Sequence, residues 1–252
     1  MKTSFQGSLG TYEIIKTQDG TNTLYSEFFN ENCHSTAGAT SETLFNYIEG
    51  CQLLKQAKKL YQQNLPLNIL EIGFGLGIGP KTTFEYFDKY FPQIKINFYS
   101  FELDNKLVDW AIEHTKINTN NYPSLDSYLN KKFNSTISII IGDARKSIYS
   151  LQETKFKFHA IFQDPFCPQN NQSLWTKQWF HQLKQVAKDD CILSTYSAST
   201  KIRKALLTSG WKVFSAPGFQ QKKESTRATI SLELPCSLEK KLLLSPTPPL
   251  ED

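Results

Sequence analysis

Three glycines at 73, 75 and 77, in the stretch EIGFGLGIG (71–79), follow a β-like run and precede a helical pattern that can hold Pro80 in its first turn. Glycine permits left-handed backbone angles and close approach of a ligand, and the helix N-terminus beyond it offers unpaired N–H groups. The loop is therefore of the nucleotide-binding type, although a tight strand-to-helix turn with no ligand has the same spelling. Its GxGxG spacing differs from the GxGxxG that faces a pyrophosphate. Glu71, just before the glycines, would repel a pyrophosphate but suits a ligand with a cationic amino-acid end. S-adenosylmethionine, which carries no phosphate, meets both conditions.

Acidic residues end three further runs. Glu102 in SFELD can accept ribose hydroxyls, and Asp143 in IGDAR can reach an adenine amine; for each, a helix N-cap is the plainer role. Together with the glycines they describe an adenosine pocket at the carboxyl edge of a parallel sheet. Asp164 ends the next run in DPF, where the transferred group would lie. A protonated amine has no lone pair, so a carboxylate that orients it and takes up its proton assists displacement at a methyl carbon, with Phe166 bordering the path. The alternative is that Asp164 and Pro165 only make a turn.

Basic residues gather on the same edge: Lys201, Arg203 and Lys204 near a helix start, and Lys222, Lys223 and Arg227 around the last loop. Cations at a helix N-terminus oppose its dipole, so Lys201 and Arg203 are easier to understand with an anionic partner, although an ordinary solvated face has the same pattern. Trp175 and Tyr196 are placed to stack on a base, though aromatics at such spacings more often belong to a core.

These residues need a sheet to hold them. Seven β-like runs follow Pro66: 67–73, 94–102, 137–143, 156–164, 189–197, 212–218 and 227–234. Helical patterns separate the first six, which requires a parallel sheet covered by helices, while the short sixth connection makes the last strand antiparallel. Ahead of them, TYEIIK and TNTLYS joined through Asp19 and Gly20 predict a hairpin, and 41–63 predicts one or two helices interrupted at Gly50, with Ser41 as cap. Residues 117–135 read as an insertion. The expected organisation is an N-terminal hairpin and helical extension over 1–66, one α/β domain over 67–244, and a frayed Pro-rich tail over 245–252.

With 252 residues, 39% hydrophobic and 21% charged, the chain can bury a substantial core. It has no signal-like N-terminus and no run long enough to span a membrane, so a cytoplasmic protein is expected. Five cysteines without a CxxC pair and four scattered histidines predict neither a disulfide framework nor a metal site. The net charge of +4 says little about nucleic acid; the position of the basic residues carries that expectation.

The segments ENCHSTAGATSE (31–42), LEIGFGLGIG (70–79), FELD (101–104), GDAR (142–145), DPFCPQNNQSLWTKQWF (164–180), STYSASTKIRKAL (194–206) and APGFQQKKES (216–225) together resemble the methyltransferase part of the tRNA 5-methylaminomethyl-2-thiouridine biosynthesis family. The resemblance implies a class I Rossmann-like methyltransferase fold. It implies S-adenosylmethionine-dependent N-methylation of the 5-aminomethyl group of a wobble (2-thio)uridine, with the tRNA anticodon region as partner. Gly73, Gly75, Gly77, Glu71 and Glu102 would hold the cofactor, Asp143 would lie near its adenine, and Asp164 would bind the amine. Residues Gln163, Pro165, Asn171 and Gln220 depart from the family's usual aliphatic, small, Pro and Gly residues. One domain uses up the chain, so no FAD-dependent half is expected, and the amine would come from a separate oxidase or from an upstream pathway that delivers aminomethyl uridine directly. Two other readings share the fold: a transferase acting on a small-molecule amine, and a non-catalytic cofactor-binding domain.

Overall fold

The structure is a computed structural model and describes residues 4–115, 127–130 and 135–252. The N-terminal segment forms its own antiparallel sheet from β1 (Ser4–Gln6), β2 (Thr11–Lys16), β3 (Asn22–Ser26) and β4 (Glu31–Asn32). The predicted hairpin is β2–β3. Its turn depends on Gly20 at φ 81° and on Asp19, whose Oδ1 accepts from Thr17 Oγ1 at 2.7 Å and from the Thr21 amide at 3.1 Å. This sheet is tied to the main body through the buried carboxylate acceptor Asp104, which takes the amides of Ser8 (2.9 Å) and Leu9 (3.0 Å) and the hydroxyl of Tyr12 (3.2 Å).

The helical stretch breaks where predicted but starts differently. It consists of α1 (Ala39–Thr43), a π-helical turn (Leu44–Glu49) and α2 (Leu53–Gln62), with Gln52 left-handed at the break. Ser41 is not the cap: the helix starts after Gly38, and the Ser41 hydroxyl donates to Asp19 at 3.3 Å.

The α/β body alternates β5 (Leu67–Ile72), α3 (Ile78–Tyr90), β6 (Ile96–Glu102), α4 (Asn105–Thr115), β7 (Ser127–Asn130), β8 (Ser135–Ile141), α5 (Ala144–Glu153), β9 (Phe158–Gln163), α6 (Lys177–Val186), β10 (Ala187–Thr195), α7 (Thr200–Thr208), β11 (Lys212–Pro217), β12 (Glu224–Thr229) and α8 (Glu239–Leu244). All seven predicted strands are present, in the order β11-β12-β10-β9-β5-β6-β8, and β12 is antiparallel between β10 and β11. An eighth strand, β7, pairs antiparallel with β8 at the far edge. It is the described part of the predicted insertion; 116–126 and 131–134 lie outside the described residues.

Every residue of β5 and β9 is buried because helices cover both faces of the sheet. Successive side chains alternate between two cores: Leu70, Ile72, Ile161 and Leu193 lie on one face, and Ile69, Phe162 and Ile192 on the other. The chain runs outward from β5 through β6 to β8 and then returns to β9 on the other side of β5. That reversal opens a crevice at the carboxyl ends of β5 and β9, where ligands bind in open α/β sheets.

Residues 245–252, expected to fray, lie against the body instead. The Leu250 carbonyl accepts the Lys177 amide at the start of α6 (2.8 Å), and the Asp252 carboxylate pairs with Arg145. No helix among the described residues is long and apolar enough to cross a membrane.

Candidate active site

The glycine loop leaves β5 with φ of 98° at Gly73, 54° at Gly75 and 71° at Gly77, angles that only glycine adopts without strain. The amides of Gly73 and Phe74 donate to the Phe101 carbonyl, which fixes the loop against the end of β6. Across the sheet reversal, the Asp164 amide donates to the Ile72 carbonyl at 3.2 Å. The loop and the DPF segment are therefore held side by side, and a Cβ on Gly73 would stand 3.0 Å from the Asp164 carbonyl oxygen.

A cavity of about 580 Å³ opens at this junction, within the roughly 300–1,000 Å³ usual for small-ligand sites. Gly73, Gly75, Glu102, Asp143, Asp164, Phe166, Tyr196 and Lys222 all reach its wall. Five carboxylates, Glu31, Glu42, Glu102, Asp143 and Asp164, face it against Lys222, so the cavity favours cationic ligands.

Glu102 Oε2 accepts the Gly75 amide at 3.0 Å, while Oε1 accepts the amides of Leu103 (2.7 Å) and Asp104 (3.0 Å). Burial raises its carboxyl pKa, and these three backbone donors oppose the shift. Oε1 has both lone-pair directions in use, so Oε2, with one backbone donor, is the oxygen that keeps a lone pair for a further donor. Asp143 takes the plainer role considered for it, its side chain capping α5 by accepting the Arg145 amide at 2.9 Å, and the residue also lines the cavity.

Asp164 lies half-buried in the cavity wall, and the Tyr47 phenol donates to its Oδ1. Burial pushes its carboxyl well above the usual carboxylate range, and Glu42 and Glu31 add to the push. The Tyr47 bond and Lys222 act in the opposite direction. The DPF segment is pinned on several sides. Tyr196 donates to the Pro165 carbonyl (2.9 Å), Trp175 Nε1 to the Phe166 carbonyl (2.8 Å), and the Cys167 amide to Glu31 (2.9 Å), while Phe166 stacks on Phe29 at 4.3 Å.

Several expected site residues lie elsewhere. Glu71 is 3% exposed beneath the loop, bonded by Ser100 at 2.6 Å and pressed against Gly79, so it supports the loop rather than facing a ligand. Gly77 is the N-cap of α3 and is not part of the cavity wall. Trp175 is fully buried and orients Phe166, so it cannot stack on a base. Arg203 is 5% exposed and already has its anionic partner, Glu224 at 2.8 Å, along with Thr226 Oγ1 at 2.9 Å. Arg227 is likewise buried. Lys201 and Lys223 line a second cavity of about 740 Å³ that shares Tyr196 and Lys222 with the first.

The sequence reading missed one wall of the main cavity: Phe29, Glu31 to Thr36, and Glu42. Its signal was the cluster of polar side chains in ENCHST, a density unusual for a simple connector. In that wall Asn32 Oδ1 and His34 Nδ1 are buried without a hydrogen-bond partner among the described residues. Burial lowers the His34 pKa to about 4, so its imidazole is neutral. Its Cε1 lies 3.7 Å from the Cβ position of Gly75. Orphaned polar atoms beside a glycine loop and an acidic wall fit the amino-acid end of S-adenosylmethionine, and Glu102 and Asp143 fit its adenosine end.

Comparison with known proteins agrees with this geometry. Residues 110–231 match the family model described as S-adenosyl-L-methionine-dependent methyltransferase. The structure of MNMC2 from Aquifex aeolicus superposes with a TM-score of 0.77 at 28% identity, covering 96% of this chain and 79% of that one. The chain has the class I fold of S-adenosyl-L-methionine-dependent methyltransferases and is similar to them in sequence.

Among relatives of this chain, the tRNA 5-methylaminomethyl-2-thiouridine biosynthesis bifunctional protein MnmC of Leptospira interrogans is 29% identical over 218 residues, 80% of this chain and 33% of that protein. The protein of the same name in Campylobacter hominis is 30% identical over 171 residues, 64% of this chain and 25% of that protein. The chain thus spans about a third of the length of the first relative. A probable spermidine synthase from Corynebacterium glutamicum shares the fold alone, at 14% identity and a TM-score of 0.51. The resemblance read from the motifs holds. Two of its four departures also have physical grounds. Gln163 is a fully buried amide satisfied by the Leu174 carbonyl (2.6 Å) and Trp179 Nε1 (3.2 Å), and Gln220 stands at φ 50°, a conformation that favours glycine.

Proposed function

We propose that this methyltransferase acts in the cytoplasm on tRNA, N-methylating the 5-aminomethyl group of a wobble (2-thio)uridine to give 5-methylaminomethyl-(2-thio)uridine. The observation that carries the reading is a carboxyl of raised pKa, Asp164, in the wall of a cavity that also holds the glycine loop and Glu102. The similarity to proteins named for 5-methylaminomethyl-2-thiouridine biosynthesis supports the substrate.

When bound, S-adenosylmethionine supplies an electrophilic methyl carbon on a sulfonium. Gly73 and Gly75 let the backbone approach it, Glu102 accepts a ribose hydroxyl, Asp143 lies toward the adenine, and Asn32 and His34 meet its amino-acid end. Asp164 orients the amine through its free carboxyl oxygen and accepts the proton, so the nitrogen presents a lone pair along the line of attack. Phe166 walls the path. The raised pKa suits this role, because a carboxyl that ionises closer to neutrality is a stronger base than an exposed one. Lys201, Lys222 and Lys223 contact phosphates of the anticodon region from the second cavity, and a separate enzyme supplies the aminomethyl uridine.

The test is nucleoside analysis of tRNA incubated with the protein and methyl-labelled cofactor. Label in 5-methylaminomethyl-(2-thio)uridine is expected; label confined to a free small amine would replace the tRNA reading. Lys201→Ala with Lys223→Ala should weaken tRNA binding and flatten the slope of log affinity against log salt by roughly one to two units. Titrations at several salt concentrations measure this, and an unchanged slope would remove these lysines from the interface.

A further inference from the structure

Asp164 is gripped by a residue 117 positions earlier in the chain. Tyr47 is 2% exposed and sits on the π-helical turn Leu44–Glu49. A π-turn interrupts the regular backbone ladder, and such turns recur at functional sites. Here Ser194 of β10 donates its hydroxyl to the Asn46 carbonyl and so anchors the turn to the sheet. The Tyr47 ring also stacks on Phe162 at 5.1 Å, on the strand that delivers Asp164 two residues later. Ring, turn and carboxyl are thus set by one strand pair, from which the phenol reaches Oδ1. Among the described residues, no hydrogen bond to Oδ2 accompanies this one.

We propose that Tyr47 is the positioning residue of the reaction: its O–H occupies Oδ1 and orients the carboxyl so that Oδ2 alone receives the substrate amine and its proton. The proposal rests on Asp164 being the amine acceptor, as proposed above. The remaining titratable groups around this carboxyl are Glu31 and Cys33 of the N-terminal wall, Glu42 of α1, Glu71 of β5, and Tyr196 with Lys222 at the mouth. Glu42 and Glu31 favour the protonated acid, whereas Tyr47 and Lys222 favour the carboxylate. Of these, Tyr47 is the group bonded to the carboxyl itself.

The experiment compares wild type, Tyr47→Phe and a protein carrying 3-fluorotyrosine at position 47, reading kcat and KM against pH on aminomethyl-uridine tRNA. Tyr47→Phe keeps the ring stack and removes the donor. Its acid limb should move up by about one pH unit, the scale of a hydrogen bond to a charged group, with KM for tRNA and the dissociation constant for S-adenosylmethionine within about twofold of wild type. 3-Fluorotyrosine, a more acidic donor of nearly the same shape, should move the limb down, and it decides the matter if Tyr47→Phe does not fold. The infrared carboxyl band that Asp164→Asn abolishes reads the same titration without turnover. A band and limb that stay in place in both variants would overturn the role of Tyr47. A wild type that methylates only a free amine would remove the tRNA reading instead, and the variants would then be read on that amine.

Discussion

Replacing Asp164 with Asn should lower kcat by roughly a hundredfold or more, the usual worth of a positioned general base, while the dissociation constant for S-adenosylmethionine stays near its wild-type value. The amide keeps the size and an acceptor oxygen but cannot take a proton. Burial and Glu42 hold the Asp164 carboxyl above the ordinary range, so in wild type it is protonated and inactive at low pH and becomes competent as pH rises through that raised value. The acid limb of kcat should therefore lie above the usual carboxylate pKa and vanish in Asp164→Asn. Linkage gives the sign for stability. A carboxyl whose folded pKa is raised favours the folded state at low pH, and that contribution is lost as pH rises through the folded value. The neutral Asn should thus leave Tm at pH 8 no lower than wild type. An unchanged kcat would remove Asp164 from the chemistry.

Gly73→Ala carries the second large effect. Position 73 has φ 98°, and the added methyl would stand 3.0 Å from the Asp164 carbonyl oxygen. A left-handed angle costs a non-glycine residue roughly 1–2 kcal/mol, and here relief of the crowding must move either the cofactor loop or the backbone of the base. Cofactor affinity should fall by about tenfold or more, the factor that 1.4 kcal/mol represents, and kcat should fall with it. Calorimetric titration and steady-state kinetics check the two parts. Gly20→Ala is the control: at φ 81°, with nothing within 4 Å of the added carbon, it carries backbone strain at a distance from the cavity and should leave affinity unchanged. Equal affinity in Gly73→Ala and wild type would show that the loop does not bind the cofactor.

The seven strands and the helix-covered parallel sheet were legible in the sequence because apolar runs such as LNILEI and FHAIFQ must be covered on both faces, and glycine or an acid punctuates their ends. Hence Gly73, Gly75, Glu102, Asp143 and Asp164, all at strand ends, met at one cavity as expected. The antiparallel β12 followed from connection length alone. Partner choice inside the fold did not follow. Arg203 and Trp175 read as surface groups in one dimension, yet Arg203 pairs with Glu224 and Trp175 holds Phe166. Glu71 faced the ligand on paper and the loop in space, because a strand's two-residue alternation does not say which side is lined by Ser100.

Local pattern therefore determined the sheet, its glycine turn and the line of carboxylates along its edge, since backbone angles and burial of apolar runs are settled by neighbours in sequence. Only the tertiary structure decided that burial raises the Asp164 carboxyl, which of its oxygens is held by Tyr47, and that Phe29 and Glu31 to Thr36 wall the cavity. The reason is electrostatic and steric: desolvation and hydrogen-bond partners belong to groups brought together across many residues of chain, and no periodicity records them.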